Sequence, residues 1–297
     1  MILYTMTEAQ FTTYLKANDK LKPRTITQYK NSYDKFDDMS KNILTASQGS
    51  IIDYIEQYPG SDNTKLALLN VASNMRKHYT KQVNKILTKK EEYKDNYQVA
   101  KEKDHKEKLT SLPSPKEVIA HENKLYRDGE HLGFIITHLM RVLSLRNMDL
   151  DMKIIPPTRS LRKVKEGDRT NYMVPRKNNT MIVRNNYKTQ GRYGVKKNAV
   201  ASRKLQRAIK ALIDERELTL GKDTIWLMST GTGKHLGEDS IAKKIRSYTL
   251  NGMSESDMNK IFVTQVAKIK DIAKLRKISE NRGTSLEVLL NEYHLEL

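Results

Sequence analysis

Tyr293 stands ten positions beyond Gly283 in the segment Gly283-Thr284-Ser285-Leu286-Glu287-Val288-Leu289-Leu290-Asn291-Glu292-Tyr293. The spacing of Leu286, Leu289 and Leu290 predicts a short amphipathic helix, opened at the Gly-x-Ser turn and carrying a phenol on its last turn. A phenol is a nucleophile that can attack a phosphodiester and keep the bond as a phosphotyrosine. Competing chemistries have less support. The chain has no cysteine, which excludes thiol nucleophiles, disulfides and Cys-based metal sites. Its seven histidines are scattered and form no HExxH pattern, so no metal or other cofactor is expected. Gly231-Thr232-Gly233-Lys234-His235 lacks the GxxxxGK[ST] spacing of a phosphate-binding loop and reads as a turn after a strand.

The charge balance says what a phosphoryl-directed phenol would meet. The 297-residue chain has a formal net charge of +19 and a sequence pI of about 9.7. From Lys153 to Lys210 there are 17 Lys and Arg against Glu166 and Asp168 alone, a net +15. An excess so localised points to a surface for a polyanion, and double-stranded DNA is the expected partner. No apolar run reaches the ~18 residues of a membrane span, so no membrane association is expected. Met1 to Met6 lack a basic stretch followed by an apolar core, so no signal peptide is expected either. With no cysteine, the chain points to an intracellular, reducing compartment.

The elements that must position these residues follow from periodicity and punctuation. Helices are expected from Thr7-Glu8, from Pro23 to about Asp37, from Ser50 to Tyr58 and from Asn63 to His78. The last of these carries an apolar stripe of Leu66, Leu68, Leu69, Val71 and Met75. Lys81 to Lys108 is a long charged helix whose face reads as solvated. Leu112-Pro113-Ser114-Pro115 marks a boundary, with Ser114 as N-cap and Pro115 at the first helical position. Two further helices cover Lys116 to Arg127 and His131 to Leu145. Thr170 to Val174 and Thr180 to Val183 read as strands of a hairpin turning at Arg176-Lys177-Asn178-Asn179. A helix from Ser202 to Glu217, a short strand at Thr224 to Met228 and further helices complete the chain. The fold class is therefore mainly α with a small β-sheet (α+β), in two domains at 1–110 and 111–297.

This order, with a terminal Gly-x-Ser turn and tyrosine, resembles the tyrosine recombinase/integrase family, most closely in pattern the recombinases of large eukaryotic DNA viruses. The resemblance implies a helical core-binding domain and a catalytic domain that clamp DNA, and a strand-transfer reaction needing neither metal nor ATP. It implies that Tyr293 is the nucleophile. It places Arg146, in Leu145-Arg146-Asn147-Met148-Asp149-Leu150, at the first phosphate-binding arginine, with His138 (in the phage-type spacing) and Arg141 as the other candidates. A guanidinium there would hold the scissile phosphate by two parallel hydrogen bonds. It gives Lys188, in Asn185-Asn186-Tyr187-Lys188-Thr189, the protonation of the departing 5′-oxygen.

Two positions depart from the family pattern. Asn259 stands where the second phosphate-binding arginine belongs, with Lys260 beside it as a point charge lacking the guanidinium fork. Thr284 stands where Gly-His-Ser has its histidine, and a threonine hydroxyl donates one hydrogen bond but is no acid or base near neutral pH. These substitutions support a competing expectation: a recombinase scaffold that has lost catalysis and serves as a structural DNA-binding or virion-associated protein. On either reading Arg159, Arg162, Lys163, Lys165, Arg169, Arg176, Lys177, Arg184, Arg192, Lys196 and Lys197 are the expected phosphate contacts. A tetramer on two duplexes is implied by the resemblance alone.

Overall fold

The computed structural model describes residues 8–17, 21, 23–36, 43–79, 82–157, 168–220, 222–230 and 234–295. The chain divides into two compact units, Met1–His105 and Lys106–Leu297. It is an α+β fold, mainly helical with one small sheet.

The first unit is helical among its described residues. Its elements are α1 (Glu8–Lys16), α2 (Pro23–Tyr33), α3 (Gln48–Gln57), α4 (Asp62–Tyr79) and most of α5 (Asn84–Ser111). The dividing point falls inside α5, a few residues before the Leu112-Pro113-Ser114-Pro115 segment. Of the stripe anticipated on α4, Leu68, Leu69, Val71 and Met75 are fully buried and Leu66 packs at the edge, against Phe11, Tyr33, Phe36, Ile51 and Ile55. Arg76 lies under this core: its guanidinium donates to the carbonyls of Ile43, Ala46 and Gln82, so a buried cation closes three loop carbonyls.

In the second unit α6 (Pro115–Arg127) starts with the expected cap. Ser114 Oγ accepts from Glu117 N, and Glu117 Oε2 accepts from Ser114 N at 2.7 Å. Next comes α7 (His131–Leu143), which is apolar nearly all round because it is the buried axis of this unit. Leu132, Phe134, Ile135, Ile136, Leu139, Met140 and Leu143 are buried among α6, α9 (Arg203–Glu215), α10 (Glu238–Tyr248) and α11 (Glu255–Lys268). One turn after α7, Asn147–Leu150 forms a 3₁₀ segment leading into the sheet.

The sheet runs in the order β4-β3-β2-β1-β5, from β1 (Met152–Ile154), β2 (Asn171–Pro175), β3 (Thr180–Arg184), β4 (Lys196–Val200) and β5 (Ile225–Trp226). β1 and β2 are parallel and the other pairs antiparallel. The anticipated hairpin forms in the register Tyr172 to Val183 and Val174 to Met181, closed by Arg176 N donating to Asn179 O at 2.8 Å. Between β3 and β4 lies the short α8 (Gln190–Tyr193). β1 and β4 were not anticipated. β1 has three residues, and β4 is the polar edge strand Lys-Lys-Asn-Ala-Val, which reads by composition as part of a basic patch. The chain ends in α12 (Ile272–Arg282) and α13 (Leu286–Tyr293), where Leu289, Val263, Val266 and Leu275 form a small separate cluster. Among the described residues no helix is long and apolar enough to cross a membrane.

Candidate active site

Local rules at three helix ends bring the candidate residues together. α12 stops at Gly283, whose φ of 65° and ψ of 54° are left-handed, so Arg282 is its last helical residue. Ser285 then caps α13 by accepting from Val288 N. Eight residues later Tyr293 lies on the last turn, facing back over Arg282. Leu289, fully buried, fixes the roll of α13 that makes this possible. Ser254 and Asp257 form the capping box of α11 and set Glu255 in its first turn.

The resulting side-chain cluster is centred on Arg282, which is 2% exposed. Its Nη2 donates to the Tyr293 hydroxyl at 2.5 Å and to Glu255 Oε1, and its Nη1 donates to Ser144 O at 3.1 Å. The guanidinium carbon lies over the Tyr293 ring, 4.4 Å from its centroid, a cation–π contact. Burial alone would lower the Arg282 pKa, but the Glu255 carboxylate and the Tyr293 oxygen outweigh it and the net direction is up. Arg282 therefore carries its charge into the pocket.

Arg146 joins from the other side, where Nη1 donates to Arg282 O at 2.7 Å. Desolvation, then the repulsion of Arg282, push the Arg146 pKa down from its ordinary value, although Asp149, Tyr293 and Glu255 oppose the shift. Arg146 is held from beneath by Asp149, whose Oδ2 accepts from Arg146 N at 3.0 Å and from Arg184 Nη1 at 3.2 Å. Asp149 and Arg184 are both fully buried. Burial pushes the Asp149 carboxyl up, and the charges of Arg184 and Arg146 hold it back. The network continues from Arg184 Nη2 to Asn198 Oδ1 and from Asn198 Nδ2 to Asn281 Oδ1, tying helix end, sheet and α12 into one frame.

The segment after β3 packs against the same turn. Thr189 Oγ1 donates to Gly283 O at 2.6 Å, Tyr187 is buried with its hydroxyl on Gly194 O, and Lys196 Nζ donates to Glu280 O. Lys196 also lies over the rings of Tyr187 and Tyr193. Desolvation, then Arg184, lower its pKa.

Arg146 and Tyr293 thus meet at Arg282. Lys188, the anticipated proton donor, is exposed, and the contacts around Gly283 are made by its neighbours Tyr187 and Thr189 and by Lys196. His138 and Arg141, the other candidates for the first arginine position, are occupied elsewhere. His138 Nδ1 bonds Glu122 Oε1, and Arg141 takes both oxygens of the same carboxylate. Asn259 is buried and donates to Glu255 O one turn back along its own helix. Lys260 is likewise buried, and Thr284 is half-buried with its N–H on Ser279 O.

Of the expected DNA contacts, Arg169, Arg176, Lys177, Arg192 and Lys197 are exposed and Lys196 is half-buried. Arg159, Arg162, Lys163 and Lys165 lie outside the described residues. Arg184 differs from expectation. It ends β3 after buried Ile182 and Val183, is 0% exposed, and pairs with Asp149, so it supports the site instead of touching a duplex.

Sequence reasoning missed Arg282 and Glu255. An arginine in the last turn of a helix before a left-handed glycine is a common way to complement the helix dipole, and nothing local marks it as a pocket residue. The fold and site define an α+β protein in which the Tyr293 hydroxyl rests on the Arg282 guanidinium, with Arg146 bonded to the Arg282 carbonyl. No protein-family model and no curated protein matches the chain. Among solved structures it is similar to the XerA recombinase crystal structure, at 13% identity and a TM-score of 0.40, over 97% of this chain and 92% of that one.

Proposed function

We propose that this protein binds double-stranded DNA and cuts and rejoins its strands through a 3′-phosphotyrosine, as a tyrosine recombinase. The observation that carries this reading is the seating of the Tyr293 hydroxyl 2.5 Å from Arg282 Nη2, with Arg146 bonded to the same residue's carbonyl. A nucleophile and two cations in one partly buried cluster suit a phosphoryl group, whose developing negative charge they would neutralise. The Tyr293 oxygen forms a bond to phosphorus, the bond to the 5′-oxygen breaks, and the phenol proton leaves to solvent. Arg146, with only Nη1 engaged among the described residues, holds the non-bridging oxygens. Lys188 gives a proton to the departing oxygen and reloads from water. Lys260 and Thr284 complete the pocket, and Asn259 contributes no charge to it. Rejoining is the reverse attack by a 5′-hydroxyl. Arg169, Arg176, Lys177, Arg192, Lys196 and Lys197 position the duplex, together with the basic residues between 159 and 165. The working form is an assembly of copies on DNA.

The test uses duplex DNA selected by the protein itself from a randomised pool, rebuilt with a nick beside the reacting position so that the product cannot religate. Wild type is expected to form a covalent adduct that is absent with Tyr293→Phe. Binding without any adduct would instead support the noncatalytic scaffold, which the spent amide of Asn259 favours.

A further inference from the structure

An arginine receives an oxyanion best along the edge bearing Nε and Nη2, where two parallel bonds fit two oxygens. Arg141 shows that arrangement complete: Nε donates to Glu122 Oε2 at 2.7 Å and Nη2 to Oε1 at 2.8 Å. Arg282 has the same edge incompletely filled. Its Nη2 is divided between Glu255 Oε1 and the Tyr293 hydroxyl, and its buried Nε–H has no acceptor among the described residues. Glu255 cannot supply both oxygens, because its Oε2 accepts from Asn147 N at 3.2 Å across the pocket. A donor on a buried cation left open costs free energy until an acceptor reaches it. The surrounding charge also asks for an anion. Arg146, Arg184, Arg282 and Lys196 face Asp149, Glu255 and Glu280, a formal excess of one positive charge.

We propose that Arg282 binds the scissile phosphate along its Nε–Nη2 edge, and that Glu255 holds that edge in the DNA-free protein until the phosphate replaces it. The proposal rests on the strand-transfer reading for the identity of the phosphate. Asn259 brings no charge to this pocket, and Arg282 supplies the second guanidinium from the residue before the Gly-x-Ser turn. Because Nη2 already touches the Tyr293 hydroxyl, a phosphate bound there lies within reach of the nucleophile. Exchange of Glu255 for phosphate fills both donors of the edge.

The experiment compares wild type, Arg282→Lys and Glu255→Gln on two versions of the selected nicked DNA. One carries the natural phosphodiester at the reacting position and the other an uncharged methylphosphonate. Arg282→Lys is expected to slow adduct formation on the phosphodiester by ~10²–10³-fold, and by less than a tenth of that factor on the methylphosphonate, which has no charge to clamp. Equal losses on the two substrates, or no loss, would overturn the clamp and leave Arg282 a purely structural residue. Glu255→Gln leaves the guanidinium in place, so it decides the matter should thermal melting show Arg282→Lys unfolded. It is expected to bind phosphodiester DNA several-fold more tightly than wild type does, with a smaller gain on the methylphosphonate. Unchanged or weaker binding would overturn the role given to Glu255. Absence of any wild-type adduct defeats the strand-transfer reading alone. The clamp is then tested by binding, where a methylphosphonate must cost wild type affinity and cost Arg282→Lys none.

Discussion

Gly283 is where backbone geometry and the candidate site depend on each other, and three alanine substitutions separate the terms. At Gly191 a Cβ meets nothing within 4 Å and φ is not positive, so Gly191→Ala is expected to be neutral or to stabilise by ~0.4–1 kcal/mol through the unfolded chain. At Gly129 φ is +80° but the space is open, so Gly129→Ala isolates backbone strain, about 1–2 kcal/mol. Gly283 combines a φ of +65° with overlap: its Cβ would lie 2.7 Å from Thr189 Oγ1 and 2.9 Å from Tyr187 Cε2. Neither neighbour can swing away freely, since Thr189 is bonded to Gly283 O and the buried Tyr187 ring is pinned through its hydroxyl. Overpacking of this kind adds ~1–3 kcal/mol, giving about 2–5 kcal/mol for Gly283→Ala. The assay is guanidinium unfolding of the full chain followed by fluorescence of Trp226, the single tryptophan, which lies on β5 and so reports the second unit. Adduct formation by folded Gly283→Ala should fall ~100-fold, because Arg146 bonds the carbonyl of the preceding residue and a shift of ~1 Å there misplaces the clamp. If Gly283→Ala unfolds within ~0.5 kcal/mol of Gly129→Ala, the overlap is relieved by relaxation and the reasoning fails.

The Glu122 carboxylate offers a pH test. Burial alone would raise its pKa, but the bonds from Arg141 and His138 bring it from 4.5 to about 2. A carboxylate with a depressed folded-state pKa contributes stability that is complete above the unfolded value and lost as pH falls through the folded one. The window is therefore pH 4.5 to about 2, and the whole effect is about 3 kcal/mol for this buried group. Wild type should lose ~2 kcal/mol more than Glu122→Gln between pH 5 and pH 3 in the Trp226 assay, and parallel losses would show that the triad contributes nothing. Salt dependence tests the basic surface. Lys197→Gln should reduce the slope of log binding constant against log salt by about 0.9, while Lys94→Gln, whose amine is paired with Glu91 on α5, should leave the slope unchanged. Equal slopes for both variants would remove β4 from the DNA interface.

The parts of the fold legible in the sequence are those governed by near neighbours. The Gly-x-Ser turn at Gly283, the Ser114 N-cap, the turn at 176–179 and the apolar stripe of α4 each follow from a few adjacent residues, and punctuation and periodicity suffice to find them. Tyr293 was legible for the same reason, through its spacing from the turn. The pocket around it was not, because its contacts join positions far apart in the chain. Arg146 meets Arg282 across 136 residues, Arg282 meets Ser144 across 138, and Arg184 meets Asp149 across 35.

Local charge conceals the burial of Arg184 at the end of β3 and the strand character of β4. In a run of 17 cations every arginine looks solvent-facing, yet Arg184 is driven inside because Asp149 is already there to receive it. The same logic separates Arg282 from an ordinary helix-end arginine. What distinguishes it is a glutamate from the start of another helix and a phenol from the end of the next one, both bonded to one nitrogen. A substitution at Asn259 therefore bears on catalysis only if no other element brings a guanidinium to the tyrosine. Arg282 is so placed, so under the proposed strand-transfer reading its Nε–Nη2 edge, rather than position 259, would supply the second clamp.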